Sequence, residues 1–534
     1  MVNSISQSFA GAISNQPVWL LPLLSFLILA LVTYTQRRRS TKGLPLPPGP
    51  KPLPIIGNAL DVPTTLMGQK FRELSEKYAA SATGDVMYLN AFGQPMIILN
   101  SHEAAMELLE KRSANYSDRM PSVMRLISGW EWTFVLMPYG PEWRRRRKEM
   151  HQFMHPNAVA QYQPLQQRET IKFLHKLITK PEAFLHHVRH SFASTIMRVS
   201  YGIDVAEEND PYVTAVEEGV ATFNEAFVPG AFLVETFPIL RHIPSWFPGG
   251  GFKRIAAKWQ KIAHNMRDAP FEKTVEAIRK GTAEPSIAMT ILENAQGKEG
   301  AEYEEEKIIA RDVSALAYAA GADTTISTVQ TFFMAMACYP EVQKKAREEL
   351  DAVVGPNRLP TFEDRDSLPY ITAIAKEAMR WQSVVPLGIP HRSLADDEYK
   401  GYFIPAGSAV IANLWSLSRD PKVYPDPETF NPDRFMKDGK LNPDVQDPNT
   451  FVFGYGRRIC PGRHFAEASL FLMVASILHT LTIEPALDEH GNPVQPEAKM
   501  TYGVISYPVP FPCTIKPRSP TAASLIVQGL KESA

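Results

Sequence analysis

The chain is short of cysteine and almost free of net charge. Cys338, Cys460 and Cys513 are its three thiols in 534 residues. They cannot make a disulfide framework, which fits a reducing compartment. A formal net charge of -1 leaves no chain-wide basic footprint, so nucleic acid is not expected as a partner. No Ser/Gly linker, charge block or repeat interrupts the body. Length alone, at about 150 residues per domain, would suggest three or four domains. The missing linkers favour one large domain after an N-terminal appendage. No G-x-G-x-x-G stands between a strand and a helix, so no nicotinamide or flavin fingerprint is present.

What is present begins with an apolar run. Val18 to Tyr34, "VWLLPLLSFLILALVTY", carries no charge. As a helix it would reach roughly 25 Å, just short of a hydrocarbon core of about 30 Å. Trp19 and Tyr34 at its ends suit the membrane interface, and Arg37, Arg38, Arg39 and Lys42 follow. The positive-inside rule keeps that side cytosolic. A cleaved signal peptide fits less well, because no basic n-region or small-x-small site is present. The expected layout is a lumenal N-terminus (1–17), a single transmembrane anchor (18–36), a basic stop and proline-rich hinge (37–58), one cytosolic domain (59–516) and a C-terminal tail (517–534). The hinge "LPLPPGPKPLPIIGN" holds six prolines, which cannot extend the anchor helix. The Asn115 sequon would stay unmodified with this topology.

Within the body, "DVMYLN" and "PMIILN" predict a hairpin around Ala91 to Gln94. From about Pro141 to Gln382 apolar residues recur at helical spacing. One long helix is expected over Glu304 to Tyr339 and another over Leu368 to Gln382. Pro386 to Phe453 reads as strands and an irregular meander. A helix follows Gly462, and Met500 to Ile515 reads as strands. The fold class is mainly α with small β-sheets.

One loop stands apart: "FGYGRRICPG", Phe453 to Gly462. A structural zinc site needs four ligands, and no second cysteine lies within 50 residues of Cys460. His464 is near, but nothing else suggests acyl transfer. A buried core cysteine is the bland alternative. Glycines at 454, 456 and 462 speak against it, since they mark unusual φ values or a close flat neighbour. A helix start just after Cys460 would lower its thiol pKa and offer N–H donors to sulfur. Those features suit one axial thiolate to haem iron.

The loop resembles the cytochrome P-450 pattern F-x-x-G-x-R-x-C-x-G, at Phe453, Gly456, Arg458, Cys460 and Gly462. "KEAMR" supplies the family's E-x-x-R as Glu377 and Arg380. "FNPDRF" resembles its P-E-R-F stretch, with Asp433 in the glutamate's place and Arg434 retained. The resemblance implies a structural Glu377–Arg380–Arg434 network. "AGADTT", Ala320 to Thr325, resembles A-G-x-D-T-T. It implies that Gly321 leaves room for dioxygen, that Thr324 hydrogen-bonds it, and that Asp323 relays protons from solvent. Trp143 and Arg147 resemble W-x-x-x-R. Together with His391 of "IPHR" and Arg458 they would donate to the haem propionates. Arg144, Arg145 and Lys148 would face an acidic redox partner.

This resemblance, over about residues 45 to 515, implies a cytochrome P-450 fold holding haem b with an axial thiolate. It implies a monooxygenase in the endoplasmic reticulum membrane, similar to fungal enzymes of secondary metabolism. Its partners would be O2, NADPH–cytochrome P-450 reductase, with cytochrome b5 as a second candidate donor, and a lipophilic terpenoid or aromatic substrate. Met120 to Val135, Phe223 to Phe247, Leu316, Ala319, Ala320, Val384 to Ile389 and Val504 to Ile505 outline its pocket. Two alternatives are a reductase-independent enzyme that rearranges peroxides and a non-enzymatic haem-binding membrane protein. The Asp323–Thr324 pair counts against both.

Overall fold

The computed structural model describes residues 41, 43–78 and 84–532. The expected anchor and the residues before it lie outside this set. Among the described residues, no helix is long and apolar enough to cross a membrane.

Helices dominate, and the small sheets lie at their margins. At the centre are the Thr324–Cys338 and Arg463–Thr480 helices. Phe332 to Ala337 are fully buried, and so is nearly every residue from Ala468 to Thr480. A helix that is apolar all round must be wrapped by others. The Pro141–Met154 helix packs against both the Gly300–Gly321 helix and the Arg463–Thr480 helix. It thereby carries Trp143 and Arg147 towards the cysteine loop.

The long helix expected over Glu304 to Tyr339 is two helices. The first ends at Gly321 and the second starts at Thr324, with Asp323 off helical geometry at φ -132° and ψ -43°. Gly, Asp and Thr are poor helix formers. Here the Thr324 hydroxyl donates to the Ala320 carbonyl at 2.8 Å, so the break keeps a local hydrogen bond.

The expected hairpin is formed by Val86–Ala91 and Gln94–Leu99, with Ala91 opposite Gln94. Phe92 (φ 50°) and Gly93 (φ 86°) both turn left-handed, as the tightest hairpin loops require. This pair heads a five-stranded sheet that continues through Ala409–Ala412, His391–Arg392 and Asp118–Arg119. Its last pairing sets Arg119 opposite His391. The carboxamide of Asn115 clamps the nearby 394–395 backbone, accepting from Leu394 and Ala395 and donating to the Ala395 carbonyl.

Of the strands expected over Met500 to Ile515, the ladder forms only at Cys513–Pro517. Pro508, Pro510 and Pro512 lack the N–H groups a ladder needs. The 500–508 segment closes instead as a strap, bridged between Met500 and Pro508. Beyond it, a Pro520–Glu532 helix lies along Gln163–Thr179, with Ile526 fully buried.

The Pro369–Trp381 helix carries the Glu–Arg–Arg network. Glu377 and Arg380 are both fully buried. Arg380 meets Glu377 through two parallel bonds of 2.7 and 2.8 Å. Arg434 reaches the same carboxylate at 3.2 Å, and the Asn431 N–H donates to it at 2.8 Å. Arg380 also donates to the Ser418 carbonyl at 2.8 Å. The network pins the 418–434 meander to the helix. Asp433 stays outside it and pairs with Lys345. Truncating one member of a buried pair leaves the other unpaired, which costs about 3–5 kcal/mol. Glu377→Ala is therefore expected to lower unfolding stability by that amount in urea titration.

Candidate active site

The Phe453–Gly462 loop is shaped by backbone contacts. The Cys460 N–H donates to the Phe453 carbonyl at 2.8 Å. Gly454 and Gly456 have φ values of 77° and 57°. A Cβ on Gly456 would lie 2.2 Å from the Leu109 carbonyl oxygen, and its N–H donates to the Glu110 carboxylate. Gly456 is thus required by the 106–111 turn and not by clearance for a flat ligand. At Gly462 a Cβ would stand 4.0 Å from the Cys460 sulfur, and the Gly462 N–H donates to that sulfur.

The helix start does not lower the thiol in the protein alone. Burial pushes the Cys460 thiol up, outweighing the Gly462 N–H, Arg147 and Arg463, which all pull it down. A thiolate in this place needs a stronger counter-charge than the chain supplies, and a metal ion bound to sulfur provides one. Among the described residues no cluster of His, Cys, Asp or Glu could hold a bare metal ion.

The donors around it test that fit. Trp143 is buried, and its indole N–H finds no acceptor among the described residues. Buried indoles normally find one. One helical turn on, the half-buried Arg147 guanidinium makes no hydrogen bond or ion pair there. Burial lowers its pKa, Cys460 raises it and Arg463 lowers it. A half-buried cation and an indole N–H, both without a hydrogen bond among the described residues, match an anionic group such as a carboxylate.

His391 and Arg458 differ from expectation in detail. Arg458 donates to the carbonyls of Ser117, Phe134 and Met137 at 2.7, 3.2 and 2.8 Å. Its guanidinium lies 4.3 Å over the Trp143 ring, and burial pushes its pKa down to about 10. It stitches the 117–137 segment to the cysteine loop and retains a positive charge there. The Nδ1 of His391 lies 2.6 Å from the Tyr116 carbonyl, so Nδ1 carries the proton. Burial, Arg119 and Arg458 hold the ring well below its usual pKa. Its Nε2 is then an acceptor, and it becomes a donor only with a second proton. A carboxylate placed beside it would favour that proton.

Sequence reasoning missed Arg119. It is buried opposite His391 and donates to the carbonyls of Val135, Ile389 and Pro390. Burial, then the charge of Arg458, drives its pKa far down. A lone arginine in "SDRM" carries no motif; only the strand pairing reveals it. Arg119, Arg147 and Arg458 are thus desolvated cations, and Arg458 is repelled by Arg147 while it repels Arg119. Such a set fits a ligand with two carboxylates. The chain's own residues therefore suit haem: a single sulfur, two free donors on one helix face, and buried positive charge around them.

On the 300–338 side, the expected residues are placed less simply. A Cβ on Gly321 would meet Ile196 at 2.8 Å. This glycine admits the Phe184–Tyr201 helix at close range, and room for dioxygen is not what its missing Cβ provides. Ala320 is exposed next to buried Ala319, and Gly321 and Thr324 are half-buried, so one face of the broken helix is open. Asp323 is buried, accepts from the Tyr507 hydroxyl and lies 3.7 Å from Arg189. Burial raises its carboxyl pKa against the pull of both partners. Tyr507 and Arg189 were not legible as partners of Asp323.

Part of the expected pocket outline falls in one apolar cluster, and another part, including Met124, Phe232, Val234 and Leu240, falls in a second. Trp130, Trp132, Phe134, Leu316, Ala319 and Ile505 share one apolar cluster, with Phe223, Phe227 and Val384 packed on it. The outline divides after Phe227. Leu233, Phe237, Ile239, Trp246 and Phe247 face outward.

Comparisons with known proteins agree with this geometry. The family model described as Cytochrome P450 matches residues 47–511. The chain is 43% identical to cytochrome P450 monooxygenase COX1 of Coprinopsis cinerea, over 94% of this chain and 98% of that protein. It is 41% identical to cytochrome P450 monooxygenase ple1 of Rhodocybe pseudopiperita, over 95% and 96%. It is 39% identical to tryptamine 4-monooxygenase of Psilocybe cyanescens, over 93% and 98%. With a glycine-shaped thiol loop and the unpaired donors near it, and with relatives that match along almost their whole length, the chain belongs to the cytochrome P450 monooxygenase family.

Proposed function

We propose that this chain binds haem b through the Cys460 thiolate and inserts one oxygen atom of O2 into a lipophilic small molecule, a terpenoid or aromatic secondary metabolite. The observation that carries this reading is the pair of unpaired donors, Trp143 and Arg147, beside the only cysteine held in a glycine-rich loop. Haem, when bound, supplies the activation of dioxygen that the side chains alone cannot. The Gly462 N–H and Arg463 hold negative charge at the sulfur. Trp143 and Arg147 orient the carboxylates, with Arg119 and Arg458 adding positive charge and His391 becoming a donor once doubly protonated. Asp323 would relay protons inward from exposed Glu217, with Arg189 holding its carboxylate, and Thr324 presents a hydroxyl on the open face of its helix. The apolar cluster of Trp130, Leu316 and Ile505 excludes water from the substrate side.

A tryptamine monooxygenase among the relatives and this aromatic-rich lining both support an aromatic or similarly apolar substrate. Electrons would come from NADPH through a separate acidic reductase, with cytochrome b5 as a second donor. Exposed Arg144, Lys148 and Arg457 support such docking, whereas Arg145 is already engaged by Glu305 and Glu306. The protein would lie on the cytosolic face of the endoplasmic reticulum. Exposed Ile55, Leu60, Ile239 and Trp246 support this, as does the contact of Phe92 with Phe237 that joins two of these segments. The apolar 18–34 run lies just upstream.

Membranes carrying this chain and a reductase, fed tryptamine-like and terpenoid compounds with NADPH, are expected to yield a product one oxygen heavier. Turnover without NADPH would instead favour peroxide rearrangement. Arg147→Ala removes a charge-assisted bond of about 1.5–3 kcal/mol. It is expected to speed haem loss to a scavenger protein by roughly tenfold to a hundredfold.

A further inference from the structure

Asp323 is held by groups that none of the sequence motifs include. Its Oδ2 accepts from the Tyr507 hydroxyl, and its Oδ1 lies 3.7 Å from Arg189. Arg189 also sits 5.5 Å over the Tyr507 ring. Neither carboxylate oxygen is bonded to Thr324, whose hydroxyl donates to Ala320. In this arrangement the acid of the expected relay is tied to the 501–507 strap and to the Phe184–Tyr201 helix.

The strap has its own anchors. The Ser506 N–H donates to the Val384 carbonyl at 2.8 Å. The Ser327 hydroxyl donates to the Ser506 carbonyl at 2.6 Å. The Ile505 N–H donates to the Asn224 carboxamide at 2.9 Å, and Asn224 also bonds the Tyr507 hydroxyl. Ile505 packs in the same cluster as Leu316 and Ala319, with Val384 against it. A molecule pressing on that cluster would push directly on the residue two positions before Tyr507. On the outer side, Arg189, Glu217 and Asp323 line a narrow cleft of about 10 Å³, at the lower limit of what holds one water. The cleft places exposed Glu217 near the buried Asp323.

We propose that Tyr507 is a positioning residue that latches the Asp323 carboxyl against Arg189, and that displacement of the 501–507 strap by substrate releases it towards Thr324. The strap thus makes proton supply depend on an occupied pocket. The latch rests on the relay role given to Asp323 above. Its benefit is chemical: protons that reach reduced oxygen in an empty pocket only turn NADPH and O2 into hydrogen peroxide or water.

The test compares the haem-loaded wild type with Tyr507→Phe, Asp323→Asn and the double variant, each supplied with reductase. Haem content confirms folding. Without substrate, Tyr507→Phe is expected to oxidise NADPH about fivefold faster, the weight of one lost hydrogen bond. The double variant should behave as Asp323→Asn alone, because the hydroxyl acts through that carboxyl. A merely structural role would make the two effects add.

A second readout needs no turnover. Infrared titration of the resting protein reads the carboxyl band that disappears in Asp323→Asn. The charged and titratable groups facing it are Arg189, Glu217 and Tyr507. Tyr507 donates to the charged form, so its loss should move the titration midpoint to higher pH. An unchanged midpoint and substrate-free rate in Tyr507→Phe, with Asp323→Asn still altering turnover, would overturn the latch and leave the relay standing. A silent Asp323→Asn would overturn both.

Discussion

Positive charge gathered around the cysteine loop, with Asp118 as its nearby counter-charge, is the constraint on which this site depends. Arg119, Arg147 and Arg458 sit where burial lowers the pKa of each. Isolated charges are costly to hold away from water. Carbonyl oxygens from the 116–137 and 389–390 segments satisfy Arg119 and Arg458 in part. Arg147 and the Trp143 indole are left for a partner from outside the chain. Burial likewise pushes the Cys460 thiol up, outweighing one N–H and two nearby arginines. Under the proposed reading, bound haem would offset both at once, its metal a Cys460 thiolate and its carboxylates the arginines.

The fold keeps this arrangement rigid on one face and adjustable on the other. Behind the cysteine loop, Glu377, Arg380 and Arg434 lock an irregular segment to a buried helix. A wholly buried, multiply bonded carboxylate gives that segment little freedom. On the opposite face, the helix is broken at Ala322 and Asp323. Its acid is held by the 500–508 strap rather than by a sheet. Rigidity sits where a ligand must be held in one geometry, and the looser connections sit where a reaction must be admitted or refused.

Much of this was legible because it is local. The Phe453–Gly462 loop, the Glu377/Arg380 pair and the Trp143/Arg147 pair are set by spacings of a few residues, which one helix face or one turn fixes. The hairpin at 86–99 was legible for the same reason. What escaped depends on distant pairing. Arg119 matters because a strand places it opposite His391, and Tyr507 matters because a strap brings it to Asp323. Gly321 was assigned space for oxygen, yet its absent Cβ faces Ile196 on another helix, which no spacing could reveal. His391 was expected as a donor, and the nearby Tyr116 carbonyl reverses that for its neutral ring. The Pro520–Glu532 helix was expected as a tail because only its packing on Gln163–Thr179 gives it a buried face.

The central claim is that the Cys460 sulfur is the axial ligand of a bound haem. The absorption spectrum of the reduced protein under carbon monoxide tests it most directly, because a thiolate opposite carbon monoxide shifts the main band to the red. The account predicts that wild-type protein shows this band and that Cys460→Ala loses it while remaining folded. A Cys460→Ala protein that keeps the red-shifted band would contradict it.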